Sequence, residues 1–261
     1  MSVNSYLTDL ASKLVLSEDE KSSIGVSIVT LQDRLDTWFG SLVKEHFQFG
    51  SSTRGTILPR KADENSDIDY MVVFDTSSGQ KKPQTYLNDL RKFAEEKYSS
   101  SEIHQSSPTV VLSLNHIKFE LVPAIYNWGF EIPSPSTSWS DWMTTDPLSF
   151  KKKLAEKNKS ENSMIKPLIR LVKYWNSRNS HLFPSFDLEK SIVEMLFIYC
   201  SSQKDYFYYF WDRFSCPYNS SQNTKSRVES GKKHIELAKE YEDQGLIYLA
   251  ESEIKKVLPE L

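Results

Sequence analysis

The sequence predicts an α+β protein, with a sheet lobe entered through a long N-terminal helix and followed by a lobe built from helices. Three observations carry that prediction. A capped, helically periodic stretch occupies LSEDEKSSIGVSIVTLQDRLDTWFGSL. Strand-like and helix-like segments then alternate as far as HIKFELVPAI, the mixture expected of a sheet lobe. Beyond a segment rich in proline and serine, EIPSPSTSWSDW, nearly every stretch has helical character. The expected division places residues 1–145 in the sheet lobe and 146–261 in the helical lobe.

The elements follow in chain order. Ser17 and Glu20 form a capping box, and acids crowd the first turn, where the helix dipole favours them. Ile24, Ile28, Leu31, Leu35, Trp38 and Leu42 recur at helical spacing and predict one apolar stripe turned to a core. HFQFG reads as a short strand closed by Gly50, and SDIDYMVVF as a second strand. QTYLNDLRKFAEEKY is an amphipathic helix, and TVVLSLNHIKFELVPAI a hairpin turning near Asn115 and His116. In the second half, DPLSFKKKLAEKN, PLIRLVKYWNSRN, DLEKSIVEMLFIYC, YFYYFWDRF, SRVESGKKHIELAKEYEDQ and IYLAESEIKKVL are each expected to be helical. YNSSQNTKS reads as a surface loop, YFYYFW as core, and KKKLAEKNK as a solvated face.

Bulk properties narrow the function. The 261 residues are 39% hydrophobic and 13% aromatic, enough for a sizeable core and unlike a disordered chain. A net charge of −3 argues against gripping long nucleic acid as the main task, although a local basic patch stays compatible with it. The two cysteines, Cys200 and Cys216, form no CxxC pair, which disfavours a zinc site or disulfide framework and suits a reducing compartment. The N-terminal stretch lacks the basic-then-apolar order of a secretory leader, and no apolar run approaches the roughly 20 residues that span a bilayer. A soluble, cytoplasmic protein is expected.

The chemistry concentrates between Gly50 and Glu120. Phosphoryl or nucleotidyl transfer needs a cradle for the triphosphate, divalent metal and a positioned hydroxyl. At Gly50-Ser51, glycine lets backbone approach a phosphate and serine adds a hydroxyl donor, although the pair by itself also reads as an ordinary turn. Asp67 and Asp69 point to one face of their strand, roughly 7 Å apart along it. That spacing allows shared metal ions, although in isolation it reads more readily as a solvated strand start whose acids cap neighbouring N–H groups. Glu120 sits in an apolar strand, where a lone carboxylate is costly; Lys118, two residues back, can pair with it or share a solvated face.

A strand ending in Gly-Ser, then D-x-D, then a strand with one acid before an hhP pattern is the layout of polymerase-β-like nucleotidyltransferases. With GSSTRGTIL ahead of SDIDYMVVF and FELVPA behind, the sequence resembles the cGAS/DncV-like nucleotidyltransferases of bacterial anti-phage defence. TTDPLSF, RLVKYWN and FPSFDLE continue that resemblance into the second lobe, so it covers roughly residues 40 to 200. The resemblance implies a polymerase-β-like sheet lobe packed against the helical lobe. It implies that Asp67, Asp69 and Glu120 hold two Mg²⁺ ions, with Mn²⁺ able to substitute, and that Glu120 helps activate the nucleophile. Gly50 and Ser51 would hold the β- and γ-phosphates, Lys173 and Ser185 would reach them from the helical lobe, and Arg54 would touch donor phosphate or base. Taken alone, Lys173 reads more readily as a helix lysine with its stem on apolar surface.

Two departures from the family pattern are visible: the third acid is Glu where Asp is commoner, and PRKADENSD lengthens the link before the acidic pair. The resemblance implies synthesis of a cyclic di- or oligonucleotide from nucleoside triphosphates, with release of pyrophosphate and activation of a separate effector protein. It implies no membrane partner and leaves open whether a nucleic acid activates the enzyme. Two other readings stand beside it: nucleotidyl transfer to an RNA, protein or small-molecule acceptor, and a nucleotide-binding module without catalysis.

Overall fold

The structure is a computed structural model, described here for residues 2–106, 108–134 and 141–261. Part of the proline- and serine-rich segment, residues 135–140, lies outside the described residues. The chain forms two compact units. One comprises 17–57 and 65–152; the other comprises the stretch to Leu16, 58–64 and 153–261. This partition differs from the expected 145/146 division in three places: the first helix and the 58–64 segment belong with the helices, and the later boundary falls at 152/153.

In the sheet unit, α2 (Glu18–Phe39) begins at the expected cap. The Glu20 amide donates to Ser17 Oγ at 3.2 Å, and the Ser17 amide donates to Glu20 Oε2 at 2.8 Å. Its buried residues are Ile24, Leu31, Leu35 and Phe39. Leu42, expected in the stripe, is instead exposed, because the helix has ended and a 3-10 turn (Gly40–Leu42) leads into β1 (Val43–Gln48). There follow α3 (Gly50–Arg54), β2 (Asp67–Phe74), α4 (Pro83–Lys97), β3 (Glu102–Ser106), β4 (Thr109–Ser113) and β5 (Lys118–Tyr126). The main strand order is β1-β2-β5-β4-β3, and β5 continues to β6 (Phe130–Pro133), which pairs with β7 (Trp142–Thr145). β4 and β5 form the expected antiparallel hairpin. The β2–β5 pairing is parallel, with Asp69 opposite Glu120.

Period-two alternation divides β2 between two faces. Ile68, Tyr70, Val72 and Phe74 are buried on the face covered by α2 and α4, where Phe39 meets Phe74 at 5.3 Å and Tyr86 meets Phe74 at 4.7 Å between ring centroids. On the other face Met71, Val73 and Ala124 pack with Phe47, Phe49, Phe130 and Ile132. Asp67 and Asp69 share this second face, at the end where the apolar packing stops.

The helical unit contains α1 (Val3–Lys13), α6 (Ile165–Arg178), α7 (Ser185–Glu194), α8 (Gln203–Arg213), α9 (Gln222–Asp243) and α10 (Ile247–Val257). Between the two units in sequence, α5 (Pro147–Ser160) buries only Leu154 and carries the expected solvated lysine face. α1 was not among the expected helices. Ser2 caps it, and Val3, Tyr6, Leu7, Leu10 and Ala11 form its buried side. The Tyr6 hydroxyl donates to the Leu258 carbonyl at 2.6 Å, tying α1 to the end of α10.

Trp211 centres the helical core, edge-on to Trp175 at 4.9 Å. Gly231 admits it: a Cβ there would lie 2.9 Å from the Trp211 ring, so α9 approaches only because that side chain is missing. YFYYFW is therefore core through Tyr206, Phe207, Phe210 and Trp211, each large aromatic contributing about 1.5–3 kcal/mol on burial. The helix expected to run through MLFIYC stops at Glu194. The chain leaves the helix extended at Met195, with Phe197 buried, and turns left-handed at Tyr199, whose φ is 57°.

Candidate active site

The site begins with the change of character inside β2, polar at its start and apolar beyond. Because β2 and β5 run parallel and Asp69 faces Glu120, side chains at 67, 69, 118 and 120 fall on one face of adjacent strands. Neighbouring strands lie about 4.8 Å apart, so carboxylates paired across them are forced close. The Glu120 carboxyl forms a hydrogen bond with that of Asp67, and its pKa is pushed up to about 7, first by burial and then by the negative charge of Asp67. Lys118 opposes that shift, and its Nζ donates to Asn65 Oδ1 at 3.2 Å.

Gly50 shapes the other wall. The Phe49 amide donates to the Asp69 carbonyl at 3.0 Å, extending the β1–β2 pairing by one residue. The chain then turns through Gly50 at a φ of 71°, where a Cβ would lie 1.6 Å from Asp69 Oδ2. Glycine is thus required twice, by its backbone angle and by the carboxylate occupying the space of a side chain. α3 follows at once. The Ser51 carbonyl accepts from the Thr56 and Ile57 amides at 3.0 and 3.2 Å, closing the loop behind it. Among the described residues the Ser51 hydroxyl makes no hydrogen bond, which leaves it open to a ligand.

The structure thus brings Gly50, Ser51, Asp67, Asp69 and Glu120 together within the sheet unit. Arg54 lies on the same short helix, is 8% exposed, and holds its guanidinium 5.4 Å over the Phe150 ring. Lys173 and Ser185 belong to the helical unit. Lys173 is buried on α6, its Nζ 3.4 Å from Glu189 Oε1, with side-chain exposures of 6% and 1%. Ser185 is the first residue of α7, directly after Pro184.

Two neighbours of the named residues were not anticipated. Thr109, on β4, places its hydroxyl against Glu120 and steadies the charged form of that carboxyl. Hairpin register alone could have found it, since Val111 faces Glu120 and Thr109 shares that face. Glu189 is fully buried beside Lys173, and its signal was an acid in the apolar stripe of FDLEKSIV.

The donor set fits a hard divalent ion. All three side chains offer carboxylate oxygens, which suit Mg²⁺. The Asp67–Glu120 hydrogen bond and the raised Glu120 pKa mark an excess of negative charge that such an ion would offset. The three are not drawn to the spacing of a closed metal site: among the described residues no group of three or more His, Cys, Asp or Glu stands so. Also among the described residues, no helix is long and apolar enough to cross a membrane.

Comparison with known proteins adds independent findings. Residues 1–158 match the family described as Second Messenger Oligonucleotide or Dinucleotide Synthetase domain, SMODS. A curated relative, the probable cyclic nucleotide synthase IK1_05630 of Bacillus cereus (strain VD146), is 30% identical over 106 residues, 37% of this chain. That match spans only 31% of the relative's length. Among solved structures, E. coli MS115-1 CdnC in its HORMA-deltaN complex is similar at a TM-score of 0.73 and 15% identity, over 97% of this chain and 96% of that one. E. coli DncV bound to 3'-deoxy GTP is similar at 0.72 and 12%, over 95% and 92%. The CdnG of Bradyrhizobium diazoefficiens, in complex with GTP, is similar at 0.70 and 12%, over 96% of both chains. At these identities the structural likeness concerns the fold.

Proposed function

The chain belongs to the Second Messenger Oligonucleotide or Dinucleotide Synthetase domain family, and from that premise we propose that it is a Mg²⁺-dependent nucleotidyltransferase. Its reaction joins nucleoside triphosphates into a cyclic di- or oligonucleotide and releases pyrophosphate. The product would act as a messenger in anti-phage defence, activating a separate effector protein. We place the reaction in the cytoplasm, in keeping with Cys200 and Cys216 both being free thiols. The observation that carries the reading is the register of β2 against β5, which sets Asp67, Asp69 and Glu120 on one face beside Gly50.

In this reading Asp67, Asp69 and Glu120 hold two Mg²⁺ ions, and Mn²⁺ can replace them. Bound metal supplies charge neutralisation at the phosphates and lowers the pKa of the attacking hydroxyl. Glu120, whose carboxyl is pushed up to about 7 by burial and by the Asp67 charge, is suited to receive the proton of the acceptor hydroxyl as that hydroxyl attacks the α-phosphorus. Gly50 admits a phosphate against the backbone, and Ser51 donates to its oxygens. Lys173 and Ser185 contribute further donors to the triphosphate, with Glu189 fixing the Lys173 side chain. Arg54 contacts the donor nucleotide.

Incubating the protein with Mg²⁺ and each labelled nucleoside triphosphate, singly and in pairs, tests the proposal. A phosphatase-resistant product with the mass of a cyclic oligonucleotide, together with stoichiometric pyrophosphate, supports it. Label transferred to an added RNA, protein or small molecule would redirect it to acceptor modification. Tight nucleotide binding without any product would leave a binding module instead.

A further inference from the structure

A second concavity lies on the helix-covered side of the sheet unit, away from the carboxylates. It has a volume of about 340 Å³ and is walled by Ser27 and Arg34 of α2, by Lys97 and Tyr98 at the end of α4, and by the Ser99–Ser101 turn. No acidic residue lines it. Both cations are half-buried, and among the described residues neither has a carboxylate partner. Arg34 Nη1 donates to the Lys97 carbonyl at 2.7 Å and its guanidinium lies 4.3 Å over the Tyr98 ring. Lys97 Nζ lies 5.3 Å from the centroid of the Trp38 ring.

Tyr98 adds the decisive feature. It is only 9% exposed, and its hydroxyl oxygen is buried without a hydrogen-bond partner. A phenol hidden in that way forfeits its hydration, and what it has in return is the Arg34 guanidinium beside it. The side-chain hydroxyls of Ser99, Ser100 and Ser101 likewise make no hydrogen bond among the described residues. One local influence opposes an anion, since the end of a helix exposes carbonyl oxygens. Arg34 answers it by taking the Lys97 carbonyl through Nη1, which uses one of the five N–H donors of a guanidinium.

We propose that this pocket binds a phosphate group, free or carried as a monoester on a small molecule. A guanidinium fork grips a tetrahedral oxyanion through two parallel donors, and an ammonium, a phenol and serine hydroxyls can satisfy its other oxygens. The volume admits a phosphate with a small substituent. The site shares no residue with the carboxylate site, so the inference stands apart from the nucleotidyltransferase reading.

Calorimetric titration of the full chain with inorganic phosphate and with glycerol 3-phosphate, without divalent metal, tests it; glycerol is the control. Saturable binding of either anion and none of glycerol is expected, and the tighter of the two names the source. Arg34→Gln should weaken binding about tenfold, the cost of one charge-assisted hydrogen bond. Tyr98→Phe should weaken it severalfold while leaving the melting temperature unchanged or raised, because it removes the orphaned hydroxyl. Asp69→Asn should bind as the parent does. If Arg34→Gln fails to fold, Tyr98→Phe and Lys97→Met carry the test. Absence of binding at millimolar anion, unchanged affinity in the pocket variants, or loss of binding in Asp69→Asn alone would overturn the proposal.

Discussion

Gly50 and Asp69 occupy, in effect, one site, because the carboxylate stands where any other residue at 50 would place its Cβ. Gly50→Ala must therefore move Asp69 or the turn, besides holding alanine at a φ of 71°, which costs roughly 1–2 kcal/mol. Product formation should collapse while the melting temperature falls by only a few degrees; an active Gly50→Ala enzyme would refute the coupling. Asp69→Asn is expected to behave differently in stability. It removes a negative charge from a crowded face, so product should vanish while the melting temperature holds or rises, and full activity would remove Asp69 from the metal site. Lys173 presents a third case. Its buried pairing with Glu189 means that Lys173→Ala strands a charge in the interior, at about 3–5 kcal/mol. That loss would mask any effect on nucleotide binding. The double variant Lys173→Met with Glu189→Gln should retain most of the stability, and its KM for nucleotide then reports the phosphate contact. A KM equal to the parent's would assign the pair a purely structural role.

Among the elements, α8 depends most visibly on its first turn. Burial pushes the Asp205 carboxyl up, but hydrogen bonds from the Ser201 and Ser202 amides and hydroxyls outweigh it and hold its pKa below the ordinary value. A depressed folded pKa contributes stability that is present above the unfolded value of about 3.9 and is lost as pH falls through the folded one. Asp205→Asn should accordingly melt lower than the parent near neutral pH, with the gap closing in acid; a gap independent of pH would deny the carboxylate that role. Legibility in the sequence follows the same local logic. The cap at Ser17, the hairpin around Asn115 and the alternation in β2 were readable because each is written within a few residues. α1 is encoded by Ser2 and by the spacing of Val3, Tyr6, Leu7 and Leu10, yet it escaped expectation because a helix this short is decided by α6, α8 and α10, which lie far along the chain. The early end of α7 was hidden because MLFIYC is apolar enough to continue a helix, and only tertiary packing of Phe197 decides otherwise. The parallel partnership of β2 with β5 spans some fifty residues and an intervening helix, so no local signal specifies it. The acids could be named from their strands, but their meeting on one face rests on that distant register.

For the whole molecule, chain order and spatial grouping part company. The first helix and residues 58–64 belong to the helical unit, although sheet-unit residues stand between them in sequence. Inside the helical unit the segment's contacts include Ser177 Oγ, which donates to the Ala62 carbonyl at 3.0 Å, and His181 Nε2, which lies 3.3 Å from Asp63 Oδ1. α1 is fastened there too, through Tyr6 to Leu258 and through Arg170, whose Nε donates to the Ala11 carbonyl at 3.4 Å. A fragment cut at residue 145 would keep α1 and the 58–64 segment but lose α6, α8 and α10, which bury them. An isolated helix as short as α1 is marginal in water. Its apolar side, with Val3, Leu7 and Leu10 each at most 2% exposed in the full chain, would then face solvent. Hydrogen exchange on fragment 1–145 should therefore find the amides of residues 3–13 unprotected, whereas in the intact chain they exchange slowly. Sedimentation should also reveal self-association through the uncovered apolar side. Protected amides in a monomeric fragment would mean that α1 is held by the sheet unit after all, restoring the simple division near residue 145.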